Sequence, residues 1–524
     1  MSNSNTANRQ IARAAGTVMF AFAFGQIVGL VRRILVAQAF GAGADLDAFI
    51  AANRVSETLF NLVAGGALGS AFIPTFTGLL AKADKKSAWR MASAVANWVT
   101  LVLSLLAALA AIFAPQIVRH ALAPGFSANP AQFDLTVTLL RIQLFSAILF
   151  GLSGLVMGIL NSHQVFLIPA LTPSMYQIGM IFGVLVLTPT MGIYGLAWGV
   201  VIGAFFHLIL QLPVLIKQRG NYSFSLGIGD ANVGEVIRLM GPRLLGVAVV
   251  QLNFWVNTWL ASRMVAGSVV GIEYGFALML MAQVAIAQSI ATAAMPTFAA
   301  QYALGKIDEV RHSLAATIRG VLLLSVPAAV GLIVLRVPLI TLLYQRGEWT
   351  ERSTQLVAWA LLWYAVGLVG HSVMEILARA FYALHDTKTP VIVGMIAMSL
   401  NIIFSIAFAA LFERIGWMPH GGLALANSLA TALEMVALLI LMRKRLGGIE
   451  GTHILRGLGQ VTLAATGMGI ALIWWEQAQI TSATWLVALG GIAISGLVYF
   501  VGVWVLKVPE MRDMVAFIHR RLER

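Results

Sequence analysis

Apolar stretches follow one another along the chain, each about as long as a bilayer is thick, separated by short polar turns. Residues 321–335 read VLLLSVPAAVGLIVL, with no charge and no alternation of polar and apolar positions. A spanning helix takes about 20 such residues, because the bilayer core offers its backbone no water. A membrane β-barrel would alternate along every strand instead. The pattern therefore predicts an all-α integral membrane protein. Fourteen spans are expected, at 15–38, 47–77, 91–114, 134–160, 164–188, 192–216, 236–262, 268–299, 313–335, 354–384, 389–412, 420–442, 455–475 and 483–506. The polar start MSNSNTANRQIARAAG runs into a long apolar stretch without a clear cleavage site, which reads as an uncleaved first helix.

Composition supports that class. The 524 residues are 59% hydrophobic and 10% charged, against about 25% charged in soluble domains. The net charge is +13. In a soluble protein that would suggest nucleic acid; here the cations gather in alternate loops, and no nucleic-acid partner is expected. One set of loops holds Lys82, Lys85, Lys86 and Arg90; Lys217 and Arg219; Lys306 and Arg311; Lys388; and Arg443, Lys444 and Arg445. The C-terminal tail adds Lys507, Arg512, Arg520, Arg521 and Arg524. The positive-inside rule places these loops and both termini in the cytoplasm, as an even number of spans requires. The chain has no cysteine, which excludes disulfides, cysteine nucleophiles and thiolate metal sites.

A repeat runs through the chain. Pro74 of IPTF and Pro296 of MPTF lie 222 positions apart, and Pro169 and Pro390, each closing a short loop, lie 221 apart. GLAWG at 195–199 echoes GLALA at 422–426, at offset 227. Each offset spans an even number of helices, so the repeat is parallel. Such repeats relate two lobes by an axis along the membrane normal. The expected division is a six-helix lobe over 1–220, a second over 221–446, and two additional helices with a basic tail over 447–524.

Ionisable residues inside spans are costly and so face a cavity or a partner. Span one holds Gln26, Arg32 and Arg33, and span two holds Asn53, Arg54, Glu57 and Asn61. Arg54 and Glu57 are three apart and meet on one helix face. They read either as the wall of a polar cavity or as a structural ion pair. Asn253 and Asn257 in span seven are four apart, which suits a cation site or a bond to a neighbouring helix. His371, Glu375 and Arg379 form a stripe on span ten, read as an interhelical salt-bridge seam or a proton relay. Asn401, Asn427 and Glu434 are single polar points without distinctive spacing. Gly65, Gly66 and Gly69 permit close packing or a bend at the end of span two. Asp45 and Asp47 read as a turn and a helix N-cap. No GxxxxGK[ST], HExxH or GxSxG motif occurs, so neither ATP hydrolysis nor another enzymatic activity is expected.

Several segments together resemble a known family. GLVRRILVAQAFGAGADLDAF (29–49), AGGALGSAFIPTF (64–76), GILNSHQVFLIPALTPSMYQIGMI (158–181), NTWLAS (257–262), LLYQRGEWTERST (342–354) and ARAFYALHDTKTPV (378–391) are similar to segments of the MurJ/MviN family, in the same order. The resemblance implies a fourteen-helix, two-lobe transporter of the multidrug and oligosaccharidyl-lipid exporter group. It implies a flippase that carries lipid II, the undecaprenyl-diphosphate-linked peptidoglycan precursor, from the cytoplasmic to the periplasmic leaflet of the inner membrane by alternating access. The last two helices would form a groove for the lipid tail. Alternatives are an exporter of another polyprenyl-diphosphate glycan or a drug, and a non-transporting cell-wall scaffold.

Arg32, Asp47 and Arg54 match the family's basic and acidic positions. Where members carry arginine, this chain has Gln26, Phe60, Asn61 and Ala277. The expected substrate-binding residues are Arg32, Arg54, Asp47, Glu57, Gln26 and Asn61. Asn253, Asn257, Glu375 and Arg379 form a second candidate set, as a cation site or a polar wall of the second lobe. No cofactor or metal is expected, and Na+, H+ and the membrane potential are the candidate couplings. Expected partners are lipid II, membrane lipids and the cell-wall synthesis machinery, around a monomer.

Overall fold

The computed structural model describes residues 21, 23–63, 69–478 and 483–511, and all of its regular structure is helical. In order, the long helices are α1 (Ala23–Phe40), α2 (Ala44–Val63), α3 (Gly69–Ala81), α4 (Lys85–Ile112), α5 (Pro130–Ser162), α6 (Leu167–Met191), α7 (Ile193–Lys217) and α8 (Ala231–Ala261). They continue as α9 (Ser268–Ala303), α10 (Ile307–Val334), α11 (Glu351–Ala383), α12 (Lys388–Arg414), α13 (His420–Leu446), α14 (Gly451–Ala478) and α15 (Thr484–Val505). Among the described residues, twelve of these are long and apolar enough to cross a membrane. The other two predicted crossings, 47–77 and 236–262, coincide with α2 followed by α3 and with α8. Gly65 and Gly66, like Arg512, Arg520, Arg521 and Arg524 of the tail, lie outside the described residues.

Helix starts are set by local chemistry. The Asp84 carboxylate accepts the Ser87 N–H at 3.0 Å and caps α4, satisfying one of the donors every helix start leaves open. Thr350 does the same for Ser353 at the start of α11. Asp45 and Asp47 stand inside the first turn of α2, not before it, where carboxylates favour the positive end of the helix dipole.

The chain divides into two compact units, one reaching Ala266 and including Arg346–Trp349, the other Gly267–Gln345 with the chain from Thr350 onward. In the first, α6 and α7 cross backbone to backbone. A Cβ on Gly179 would lie 2.1 Å from Gly203 Cα, and one on Gly183 would lie 2.7 Å from Gly199 Cα. Small residues are what let membrane helices approach this closely. The core of this unit gathers Phe72, Phe76, Met91, Val95, Leu155 and Ile159 from α3, α4 and α5.

In the second unit, α14 and α15 pack into the same core as α10, α11 and α13, through Ile318, Leu377, Leu438, Val461, Met468 and Val503. Pro327 lies inside α10 and has no N–H to give to the Leu323 carbonyl. The Tyr499 hydroxyl of α15 donates to that carbonyl instead, at 2.6 Å.

The repeat is written into the backbone. Left-handed residues occur in pairs at Gly41 and Gly267, Ala83 and Gly305, Gln164 and His385, Gly192 and Gly416, and Arg219 and Gly447. The loops pair in hydrogen bonding as well. Val165 N–H donates to Leu160 O and Gln164 N–H to Asn161 O; Asp386 N–H donates to Phe381 O and His385 N–H to Tyr382 O. This is the glycine-type helix stop, in which a left-handed residue turns the chain and the last carbonyls are satisfied.

Candidate functional site

The polar face of α2 is the centre of a cluster within the first unit. Asn53, Arg54, Glu57, Thr58 and Asn61 recur at helical spacing, so they project together. Glu57 is held twice: Asn53 Nδ2 donates to Oε1 at 2.8 Å and Arg54 Nη1 to Oε2 at 3.1 Å. The predicted pair therefore forms, with Arg54 11% exposed and Glu57 45% exposed. An ion pair so open to water contributes little to stability, so its value lies in aiming the guanidinium.

Helix α8 covers this face. The Arg54 guanidinium stands 5.0 Å from the centre of the Phe254 ring, a cation–π geometry. The Thr58 hydroxyl donates to the Arg54 carbonyl at 2.7 Å and accepts from Trp255 Nε1 at 2.8 Å and Gln251 Nε2 at 3.3 Å. Gln251 and Trp255 are four residues apart, which puts them on one face. The two bonds from Gln251 and Trp255, with the cation–π contact, fix α2 against α8 beside Arg54.

Arg32 of α1 reaches across to α6. Its Nη1 meets the Met180 sulfur at 3.3 Å, and its buried Nε has no partner. A thioether is a weak acceptor, so this guanidinium keeps most of its donor capacity. Tyr176, one helical turn before Met180, lies near Arg32, Glu57 and Asn53. Asp47 is buried two turns before Arg54 on α2. Asn61, one turn beyond Glu57, is half-buried, whereas Gln26 is exposed on α1. The structure thus draws Arg32, Arg54 and Glu57 together. Thr58, Tyr176, Phe254 and Trp255 also belong to the cluster, and the sequence reading did not select them. The four-residue spacings of Arg54 with Thr58 and of Gln251 with Trp255 were the available signal.

Asn253 and Asn257 are buried on α8. Asn257 Nδ2 donates to Asn253 Oδ1 at 3.3 Å, so the amides bond along their own helix. In the second unit, Arg379 binds Glu375 through Nε and Nη2 at 3.1 and 2.8 Å, again along one helix. His371 turns instead to α13, where its Nε2 meets Asn427 Oδ1 at 3.0 Å and Thr431 Oγ1 at 3.3 Å. The expected interhelical salt-bridge seam is corrected by this geometry: the ion pair is intrahelical, and uncharged hydrogen bonds join the helices. Ala277 is 4% exposed and packed in α9.

Two helical units with spans of bilayer length, and charged side chains held within them, are the architecture of a polytopic membrane protein. The chain belongs to the family described as "Lipid II flippase MurJ", whose model matches residues 36–491. It is 30% identical over 509 residues to the "Probable lipid II flippase MurJ" of Vibrio cholerae, covering 94% of each chain. It is also 30% identical to the "Lipid II flippase MurJ" of Burkholderia cenocepacia, covering 83% of this chain and 84% of that one. A solved "Lipid II flippase MurJ, inward closed conformation" superposes with a TM-score of 0.80 at 25% identity, over 95% of this chain and 99% of that one. An inward-facing multidrug MATE transporter shares the fold, with a TM-score of 0.66 at 16% identity. The family is one of transporters, and the chain is a multi-pass bacterial inner-membrane protein.

Proposed function

We propose that this chain moves lipid II from the cytoplasmic to the periplasmic leaflet by alternating access, with Arg32 and Arg54 binding the diphosphate. The observation that carries the assignment of these residues is the unequal state of the two guanidiniums. Arg54 is held in place by Glu57 and Phe254, while among the described residues the partner of Arg32 is the Met180 sulfur; the buried Nε does not distinguish the two. A planar guanidinium with open N–H groups suits phosphate oxygens. The isoprenoid tail stays in lipid while the headgroup passes, and α14 and α15 give it a groove.

The remaining readings follow from the loops and the repeat. Both termini are cytoplasmic, because the cationic loops share their side. The two lobes are the repeats at 1–220 and 221–446, with 447–524 as the additional pair. The cycle runs without ATP hydrolysis and draws on Na+, H+ or the membrane potential. The chain works as a monomer beside the cell-wall synthesis machinery. Rescue of bacteria depleted of their own flippase tests the site: the native chain restores growth, and the Arg32→Ala, Arg54→Ala double variant does not. Rescue by a well-inserted double variant would remove these residues from the mechanism.

A further inference from the structure

Glu434 lies in the middle of α13 and is 8% exposed. A buried carboxylate in a membrane helix needs a counter-charge or strong donors to stay ionised. Among the described residues it has no hydrogen bond and no ion pair. The Arg379 guanidinium spends Nε and Nη2 on Glu375. Glu375, Arg379 and Glu434 are all near enough to Tyr382 to act on its hydroxyl electrostatically. Helix α12 presents a glycine there: a Cβ on Gly394 would stand 3.2 Å from Glu434 Oε1. One and two turns earlier on α13, Thr431 and Asn427 share the His371 ring. Helix α9 packs Phe276 against the His371 ring, with 6.5 Å between ring centres, and carries Glu273 about one turn before it. The titratable groups of the seam and of the helices packed on it are Glu434, Glu375, Arg379, Tyr382, His371 and Glu273.

We propose that Glu434 is a proton-exchange site of the second unit. Its carboxylate takes up one proton from water to form the neutral acid and returns that proton when the seam reopens. Glu375 is satisfied by its arginine and Glu434 is not, so the proton goes to Glu434. Coupling of this step to lipid II movement rests on the function proposed above; the proton site itself does not.

Infrared difference spectra of the purified full chain in lipid, titrated with pH, test the site without any substrate. The native chain should show a protonated-carboxyl band that titrates and that Glu434→Gln removes. An unchanged band and midpoint in Glu434→Gln would overturn the proposal. Glu434→Asp keeps a carboxyl and serves if the glutamine variant does not fold; its band should remain with a shifted midpoint, and an unshifted midpoint counts against Glu434. A midpoint that moves with sodium at constant ionic strength would assign the site to a metal cation and overturn the proton reading. In vesicles, transport should lose its pH dependence in Glu434→Gln. If lipid II is not moved at all but the band behaves as expected, the proton site stands and the substrate reading falls.

Discussion

The Tyr499 hydroxyl donates to the Leu323 carbonyl at 2.6 Å, the carbonyl that Pro327 leaves without an N–H partner. One phenol thus joins α15 to α10 and repairs a proline gap in the same contact. Tyr499→Phe leaves that carbonyl buried and unsatisfied, a cost of about 1–3 kcal/mol. The thermal midpoint of the purified protein should fall, with the ring packing intact. An unchanged midpoint would show that the bond contributes nothing.

Glu57 restrains Arg54, and Asn53 supports it. Glu57→Gln removes the negative charge but keeps an acceptor oxygen. Stability should change by less than about 1 kcal/mol, because the pair is open to water. Affinity for a diphosphate-bearing lipid should rise a few-fold at low salt and converge with the native value at high salt. Weaker binding at all salt concentrations would mean that Glu57 contacts the substrate itself.

The α6–α7 crossing leaves no room at Gly179, where a Cβ would meet Gly203 Cα at 2.1 Å. Gly179→Val must separate the two helices and should cost about 1–3 kcal/mol, as overpacking does. Gly234, with nothing within 4 Å of its Cβ position, is the control: Gly234→Ala should leave the thermal midpoint unchanged or slightly raised. Equal effects at both positions would contradict the close crossing.

Asp386, in the turn between α11 and α12, accepts from the Thr389 N–H at 3.0 Å and the Thr389 hydroxyl at 2.8 Å, and it pairs with Arg445. The backbone bond to Thr389 leads the effects that hold its carboxyl below the usual carboxylate range, with smaller contributions from the Thr389 hydroxyl and Arg445. A lowered folded pKa adds stability that is complete above the unfolded value, about 4, and is lost as pH falls through the folded value. Asp386→Asn should therefore flatten the decline of the thermal midpoint below about pH 4 and leave its slope near neutrality unchanged. An unaltered acid limb would exclude Asp386 from the acid response.

Hydropathy located the helices because bilayer length is a property of consecutive residues. The repeat was legible for a related reason: Pro74 with Pro296 and Pro169 with Pro390 lie beside the loops whose left-handed residues are Ala83 with Gly305 and Gln164 with His385. The Arg54–Glu57 pair was legible because it is local to one helix. Thr58 was not, since its partners Gln251 and Trp255 are nearly 200 residues away and a lone threonine in an apolar span has no periodic signature. Glu434 was visible only as an isolated acid; its significance comes from Gly394 on another helix and from an arginine already occupied by Glu375. The four-residue spacing of Asn253 and Asn257 places them on one face, where their amides bond to each other.

A leaflet-resolved assay of lipid II in vesicles containing the purified chain tests the central claim most directly. The native chain should carry lipid II to the opposite leaflet, and Arg32→Ala with Arg54→Ala should abolish that movement at equal insertion. Lipid II that stays in its original leaflet with the native, well-inserted chain, while another polyprenyl-diphosphate lipid crosses, would contradict it.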